Sequence, residues 1–494
     1  MKTLMSSRCP FAAFLALALV IAPVGAQQPG EGQAPSTAGM VLKGKAPVSN
    51  EVLKVKLPKP QEADLGNGLH LMVLEDHRLP QIAFQIVIPG AGGYYDDPAK
   101  TGLASYTAQL MREGTETRTS QQISQELERM AAFLNAGAGI SGPNATLSGS
   151  ALTENFDRLF ALAAEVLLAP AFPADEWDRL KTRARAGLIQ QRTNPSFLAA
   201  EQYSRVIYGS HPAGRVSATP ATLDAITRDA MIEFHRVRYV PDHAAIAFAG
   251  DITLADARKA VEARFGGWAK RGTPKPAVAD PSPSGARKVY MIARPNSVQT
   301  TFMVGTQALA RKDPDYERLL VANRVLGGAM GRLFRHLREE KGYTYGIGSG
   351  ISATNFRGDW TAQTSVRTEV TEPALRDLLD EIAQMRDKPI PAAELADAKR
   401  ALVASFALSL ESPQAVLNYY MNNWLYGLPA DYWDTYPARI SAVSAADAQA
   451  AAKKYWADDR LQIVAVGDVT KIASILGKYG PIEQYDADGK KIGQ

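Results

Sequence analysis

The sequence predicts an α+β protein of two similar domains, each an antiparallel sheet covered by helices. Three observations predict it. Residues 242–253 (DHAAIAFAGDIT) have a counterpart in 459–470 (DRLQIVAVGDVT), each an apolar strand, then G-D-[IV]-T, then a helical segment. Residues 173–191 (PADEWDRLKTRARAGLIQQ) match 391–409 (PAAELADAKRALVASFALS), both with helical periodicity. These pairs occur in the same order in both halves, which makes coincidence a poor explanation.

The elements follow along the chain. Lys2 and Arg8 precede an apolar run ending near Pro23, and Val24-Gly25-Ala26 forms a small-residue cleavage site. Residues 1–26 therefore read as a secretory signal peptide cut after Ala26, and the run is too short for a membrane anchor. Residues 27–50 are rich in Gly, Pro, Ala and Ser and read as a flexible leader. The first domain, 51–269, opens with alternating apolar strands in 71–89. It closes with an amphipathic helix over 223–239 and the strand of 242–253. Residues 270–287 (KRGTPKPAVADPSPSGAR) suit an exposed linker. The second domain, 288–484, repeats this plan with strands in 289–306, a helix over 440–455 and the strand of 459–470, followed by a tail, 485–494.

Composition excludes several classes. The net charge is +4 over 494 residues with basic residues scattered, which gives no nucleic-acid signature. Cys9, the one cysteine, lies in the signal, so the mature chain has neither a disulfide nor a cysteine-based metal site or nucleophile. Export without cysteines fits a periplasmic protein. Nothing after the signal is long and apolar enough to span a membrane.

Residues 102–115 (GLASYTAQLMREGT) carry the sharpest signal. Their frame resembles the zinc helix of the pitrilysin/insulinase peptidases, G-L-A-H-F-L-E-H-M-x-x-x-G-T. In that motif two histidines four apart share a helical face and bind one metal, and the glutamate activates the bound water. The histidine positions fall on Ser105 and Gln109 and the glutamate position on Ala108. The family's third ligand, also a glutamate, falls near Ala186 or Gly187, in a stretch without carboxylates. Ser, Ala and Gln supply neither imidazoles nor a base, so no metal or other cofactor is expected in this chain.

The six histidines offer no i, i+4 pair; His235 and His243 are the least implausible substitute ligands. Ser105 has no G-x-S-x-G frame and no neighbouring base, so a small helix residue facing a groove is the preferred reading over a nucleophile. The resemblance covers nearly the whole chain after about residue 51. It includes GAGGYYDDPAKTGLA, YGSHPAGRVSATPATLDAIT and LFRHLREEKGYTYGI. It implies two such domains closing like a clamshell around a peptide.

In 327–346 (GGAMGRLFRHLREEKGYTYG), a helix is expected to end at Gly342 in a left-handed cap. That places Arg338 at a helix end and Tyr345 on an extended segment. This is similar to the family's L-R-x-x-x-G-x-x-Y pattern, in which arginine and tyrosine bind the substrate backbone and stabilise the oxyanion. The alternative is Arg338 paired with Glu339 or Glu340 beside a half-buried tyrosine. Substrate contacts are also expected at Asn135, Ala136 and Gly137, on a strand that could pair with a peptide or form an ordinary hairpin, and at Gly327 and Gly328.

The resemblance implies the non-zinc subunit of a heterodimeric periplasmic metallopeptidase. Its partner would be a homologous H-x-x-E-H subunit carrying the zinc, and its substrates peptides. The alternative is a non-catalytic peptide-binding or assembly subunit. An active peptidase with an unconventional site is the weakest reading.

Overall fold

A computed structural model describes residues 55–492. The expected signal peptide, with its expected cleavage after Ala26, and the expected leader lie outside the described residues.

Two sheets organise the chain. The first contains β1 (Gln61–Asp64), β2 (His70–Glu75), β3 (Gln81–Pro89), β4 (Phe133–Ala138), β5 (Asn144–Leu152) and β6 (Ala245–Gly250), in the order β1-β2-β6-β3-β5-β4. The second contains β7 (Val289–Ala293), β8 (Gln299–Gln307), β9 (Thr344–Ser352), β10 (Asp359–Arg367), β11 (Gln462–Gly467), β12 (Ile482–Tyr485) and β13 (Lys491–Ile492). Their order is β13-β12-β7-β11-β8-β10-β9. The series 2-6-3-5-4 in the first sheet becomes 7-11-8-10-9 in the second, so the duplication is exact in strand order. The fold is α+β in two homologous domains.

The sheets are mixed rather than purely antiparallel. β2 pairs parallel with β6, and β7 parallel with β11. A parallel partner needs a long crossover, and the helices between the first and last strands of each half supply one. The edges also differ: β1 runs antiparallel to β2, whereas β12 runs parallel to β7.

Each helix expected before the last strand is in fact two. Pro220–Ala225 stops before Thr227, which caps Arg228–Arg238; Tyr436–Ala442 stops before Ser444, which caps Ala445–Tyr455. Both cap residues are extended, and their hydroxyls accept from the backbone N–H of the third helical residue. The hydroxyl thus ends one helix by starting the next. The residues expected as a tail add β13 to the second sheet, because Asp486 turns the chain by accepting from the N–H groups of Asp488 and Lys490.

Each half lends a helix to the other's sheet. Pro195–Tyr208 buries Leu198, Ala199, Tyr203 and Ile207 against Ile292, Met303, Val464 and Val466 of the second sheet. Pro413–Tyr426 buries Val416, Leu417, Tyr420 and Met421 in one core with Met72, Leu74, Val87, Ala245 and Ala247 of the first. The two begin alike, Asn194-Pro195 and Ser412-Pro413, with a side-chain cap and proline at the first helical position. This explains why β6 and β11 are buried along their whole length and read as unbroken apolar runs.

A polar lock accompanies the exchange. Tyr203 and Tyr208 donate to the two oxygens of buried Asp359 at 3.0 and 2.6 Å. Burial holds that carboxyl above its ordinary range. The linker is tied down as well: Ala279 O is 2.9 Å from His211 Nε2, and Ser282 O accepts from Gln307. A continuous packed core joins the two domains.

Candidate functional site

Helix Leu103–Met111 carries the degenerate motif. Gly102 precedes it at φ +104°, where a Cβ would lie 2.9 Å from the Tyr106 ring. Buried Asp96 accepts from the N–H of Gly102 (2.8 Å) and of Ala104 (3.0 Å), which satisfies the helix start. Burial pushes its carboxyl up to about 6, against the pull of those donors and of Arg215. Arg215 in turn donates to the carbonyls of Asp96 and Tyr94, holding the preceding loop.

Ala108 faces the core and is 1 % exposed, while Ser105 and Gln109 line a groove of about 380 Å³. The opposite wall is helix Ala174–Gln191, contributing Arg183, Gly187 and Gln191; Ile140 and Ser217 close the ends. Gly187 thus stands where a third ligand would face Ser105 and Gln109. The chain brings the three ligand positions, Ser105, Gln109 and Gly187, to one groove, leaves the base position Ala108 in the core, and furnishes none with a ligand. Gln109 donates to Ser105 Oγ (3.2 Å), and Ser217 donates to Gln191 Oε1 (3.0 Å). Among the described residues no carboxylate or imidazole lines the groove, so these residues do not fit zinc. Nor does a base stand beside Ser105 to make it a nucleophile.

The histidines are occupied elsewhere. His235 bonds Leu167 O (2.8 Å) and His243 bonds Thr273 O (2.7 Å), and burial lowers the basicity of His235. Each ring is thus bonded to a different backbone carbonyl. His70 and His77 pair with Asp64 and Asp251, and His336 with Glu381. Among the described residues no three His, Cys, Asp or Glu side chains converge as metal ligands.

In the second half, Phe334–Glu340 is a π-helix rather than the expected α-helix, ending at Gly342 with φ +60°. Such wide turns often mark functional positions. His336 (2.9 Å to Glu381) and Arg335 (3.1 Å to Glu394) fasten it to the helices behind, and Arg332 just before it also pairs with Glu394 (2.7 Å). Arg338 lies 4.6 Å from the Phe334 ring centre and 5.3 Å from that of Tyr345. Cation–π contact sets the guanidinium over the tyrosine; Glu339 is no closer than 3.8 Å. Tyr345 is 91 % exposed on the edge strand β9, not half-buried, and borders an 800 Å³ trough with Gln363 and Arg367.

The remaining positions divide. Asn135 is exposed, Ala136 buried and Gly137 half-buried on β4, the outer edge of the first sheet. Gly327 is buried where a Cβ would fall 1.9 Å from Ser349 Oγ, so its first service is the close approach of helix Tyr316–Gly327 to β9. A Cβ on Gly328 would lie 2.6 Å from Arg324. The trough that Tyr345 borders is separate from the groove of Ser105 and Gln109, and Arg338 lines neither. Arg183, Gln191 and Ser217 escaped the sequence reading; Arg183 alone left a trace, a cation in a stretch where a carboxylate was sought.

The fold and site define a peptidase-type scaffold stripped of its metal. Residues 71–221 match the profile described as insulinase (peptidase family M16), and 225–402 that described as the M16 inactive domain. The chain belongs to the M16 peptidase family, as a member lacking the zinc motif. It is 23 % identical over 327 residues to an uncharacterized zinc protease of Rickettsia bellii, covering 66 % of this chain and 77 % of that one. With the uncharacterized zinc protease YmxG of Bacillus subtilis it shares 23 % identity, covering 71 % and 85 %. The crystal structure of an M16 inactive domain from Pseudomonas fluorescens superposes with TM-score 0.77 at 28 % identity, covering 83 % of this chain and 98 % of that one. A Helicobacter pylori protease shares the fold with TM-score 0.76 at 16 % identity, covering 83 % and 100 %.

Proposed function

We propose that this chain is the non-zinc subunit of a heterodimeric periplasmic metallopeptidase, exported by its signal peptide. Its partner is a homologous H-x-x-E-H subunit that supplies the zinc and with it the hydrolytic water. The two chains close around a peptide, each forming one jaw. Arg338 and Tyr345 of this chain bind the substrate backbone and donate hydrogen bonds to the carbonyl oxygen as it gains negative charge. The observation that carries this reading is the guanidinium–phenol contact itself: Arg338, half-buried on the π-helix, stacks on Tyr345, exposed on the edge strand, while Arg335 and His336 tie the π-helix to Glu394 and Glu381.

One oxyanion donor is worth about 2.7–4 kcal/mol, or about 10²–10³ in kcat. Turnover by the partner paired with Tyr345→Phe is expected to fall by that factor, with peptide affinity nearly unchanged. An unaltered kcat removes the catalytic role.

A groove with no metal ligand also supports a second reading, a peptide-binding or assembly subunit with no part in hydrolysis. Native mass, zinc content and peptidase activity of the purified chain separate the two. A one-to-one complex with one zinc and activity absent from either chain alone supports the split enzyme; a zinc-free, inactive homodimer or monomer supports the second.

A further inference from the structure

We infer that the groove left by the missing zinc site binds the carboxylate of a peptide, either an α-carboxylate or an Asp or Glu side chain. A metal site gathers anionic and neutral acceptors around a cation. Here the composition is inverted. Arg183 stands on the wall and, among the described residues, makes no hydrogen bond or ion pair, although its helix neighbours Arg179, Lys181 and Arg185 are all paired. Ser217 donates to Gln191 Oε1, which turns the Gln191 amide N–H groups away from that contact as further donors. Gln109 spends its amide N–H groups on Ser105 O and Oγ, which leaves the Ser105 hydroxyl hydrogen to donate into the groove.

An unpaired guanidinium flanked by amide and hydroxyl donors matches a carboxylate, which it grips through two parallel N–H···O bonds.

Position selects a peptide over a free anion. β4 is the terminal strand of its sheet, with one backbone edge unpaired. Ile140, just beyond β4, lines the groove. A peptide added to that edge runs toward the groove and delivers an end or a side chain to Arg183, as in backbone-edge recognition generally. Leu188 supplies an apolar wall for the aliphatic part. The inference rests on the peptide-clamping function proposed above and names the substrate class: peptides with a carboxylate where they cross this groove.

The test uses the full mature chain and fluorescein-labelled peptides in matched pairs, one with a free C-terminus and a glutamate, the other amidated with glutamine. Fluorescence anisotropy is expected to show the acid form binding at least tenfold tighter. Arg183→Ala, at an exposed position, is expected to abolish that preference while leaving the amidated peptide unchanged. Gln109→Glu is expected to abolish it too, by placing a like charge in the groove.

Equal affinity of the two forms, or a preference surviving in Arg183→Ala, overturns the inference. Inorganic phosphate that saturates an Arg183-dependent site while the two peptides bind alike overturns it as well, since the groove then takes free anions only. Loss of the Tyr345 effect on the partner's kcat leaves this assay untouched. Absence of saturable binding by either peptide sinks the inference and the peptide-binding claim beneath it together.

Discussion

Helix Leu103–Met111 and helix Tyr316–Gly327 occupy the same step of a duplicated plan, yet one borders an open groove and the other a sealed interior. In the second half, helix Ala392–Ser409 lies along Tyr316–Gly327, and the polar residue that Tyr316–Gly327 turns to its sheet is saturated. Asn323 Oδ1 accepts from Trp360 Nε1 (2.7 Å) and Ser349 Oγ (2.6 Å), and its amide nitrogen reaches Ser349 O. In the first half, helix Ala174–Gln191 meets its counterpart much less extensively and leaves Arg183 and Gly187 facing space. The second helix serves the core; the first stands off from its neighbour and leaves the groove between them.

The difference can be broken from either side. Trp360→Ala empties a fully buried site and strands Asn323, and is expected to cost about 3–5 kcal/mol in denaturant unfolding. A loss below 1 kcal/mol would mean the second half is not the rigid one. Gly327→Ala drives a Cβ into Ser349 and is expected to cost about 1–3 kcal/mol.

Asp96, under the first helix, gives a pH signature. Its carboxyl sits at about 6 in the fold against an ordinary 3.8, so the folded chain holds a proton that the unfolded chain releases between those values. More protons bound in the folded state means that stability falls as pH rises from about 4 to 6, by about 1–2 kcal/mol from this group. Asp96→Asn is expected to flatten that part of the Tm–pH curve; an unchanged slope refutes the assignment. The smallest effect is opposite in sign. Gly187→Ala meets nothing within 4 Å in a helix and is expected to stabilise by about 0.4–1 kcal/mol. A destabilised variant would show the groove to be closed in solution.

The sequence made legible whatever repeats or keeps a local frame. The G-D-[IV]-T strands exposed the duplication, and the frame around Ser105 and Gln109 exposed the vanished site. The turn at Gly342 located Arg338 and Tyr345. What escaped depends on distant partners. An apolar helical stripe does not say which sheet it covers, so the exchange of Pro195–Tyr208 and Pro413–Tyr426 was invisible. Residues 485–492 look polar in sequence but hold together through turn bonds from Asp486. The extra width of the turn at Phe334–Glu340 has no composition of its own. Ser217 and Gln191 reach the groove from separate segments, and nothing local marks either.

The exchanged helices make the duplication irreversible. A gene divided at the linker would encode two proteins, each with one sheet face bare and one helix without a seat. A protease that cuts within residues 270–287 would sever the peptide chain without releasing either fragment, because Pro195–Tyr208 and Pro413–Tyr426 remain clasped in opposite directions. What began as two copies of one unit is now a single particle, and its covalent continuity is the less important of the two bonds that hold it.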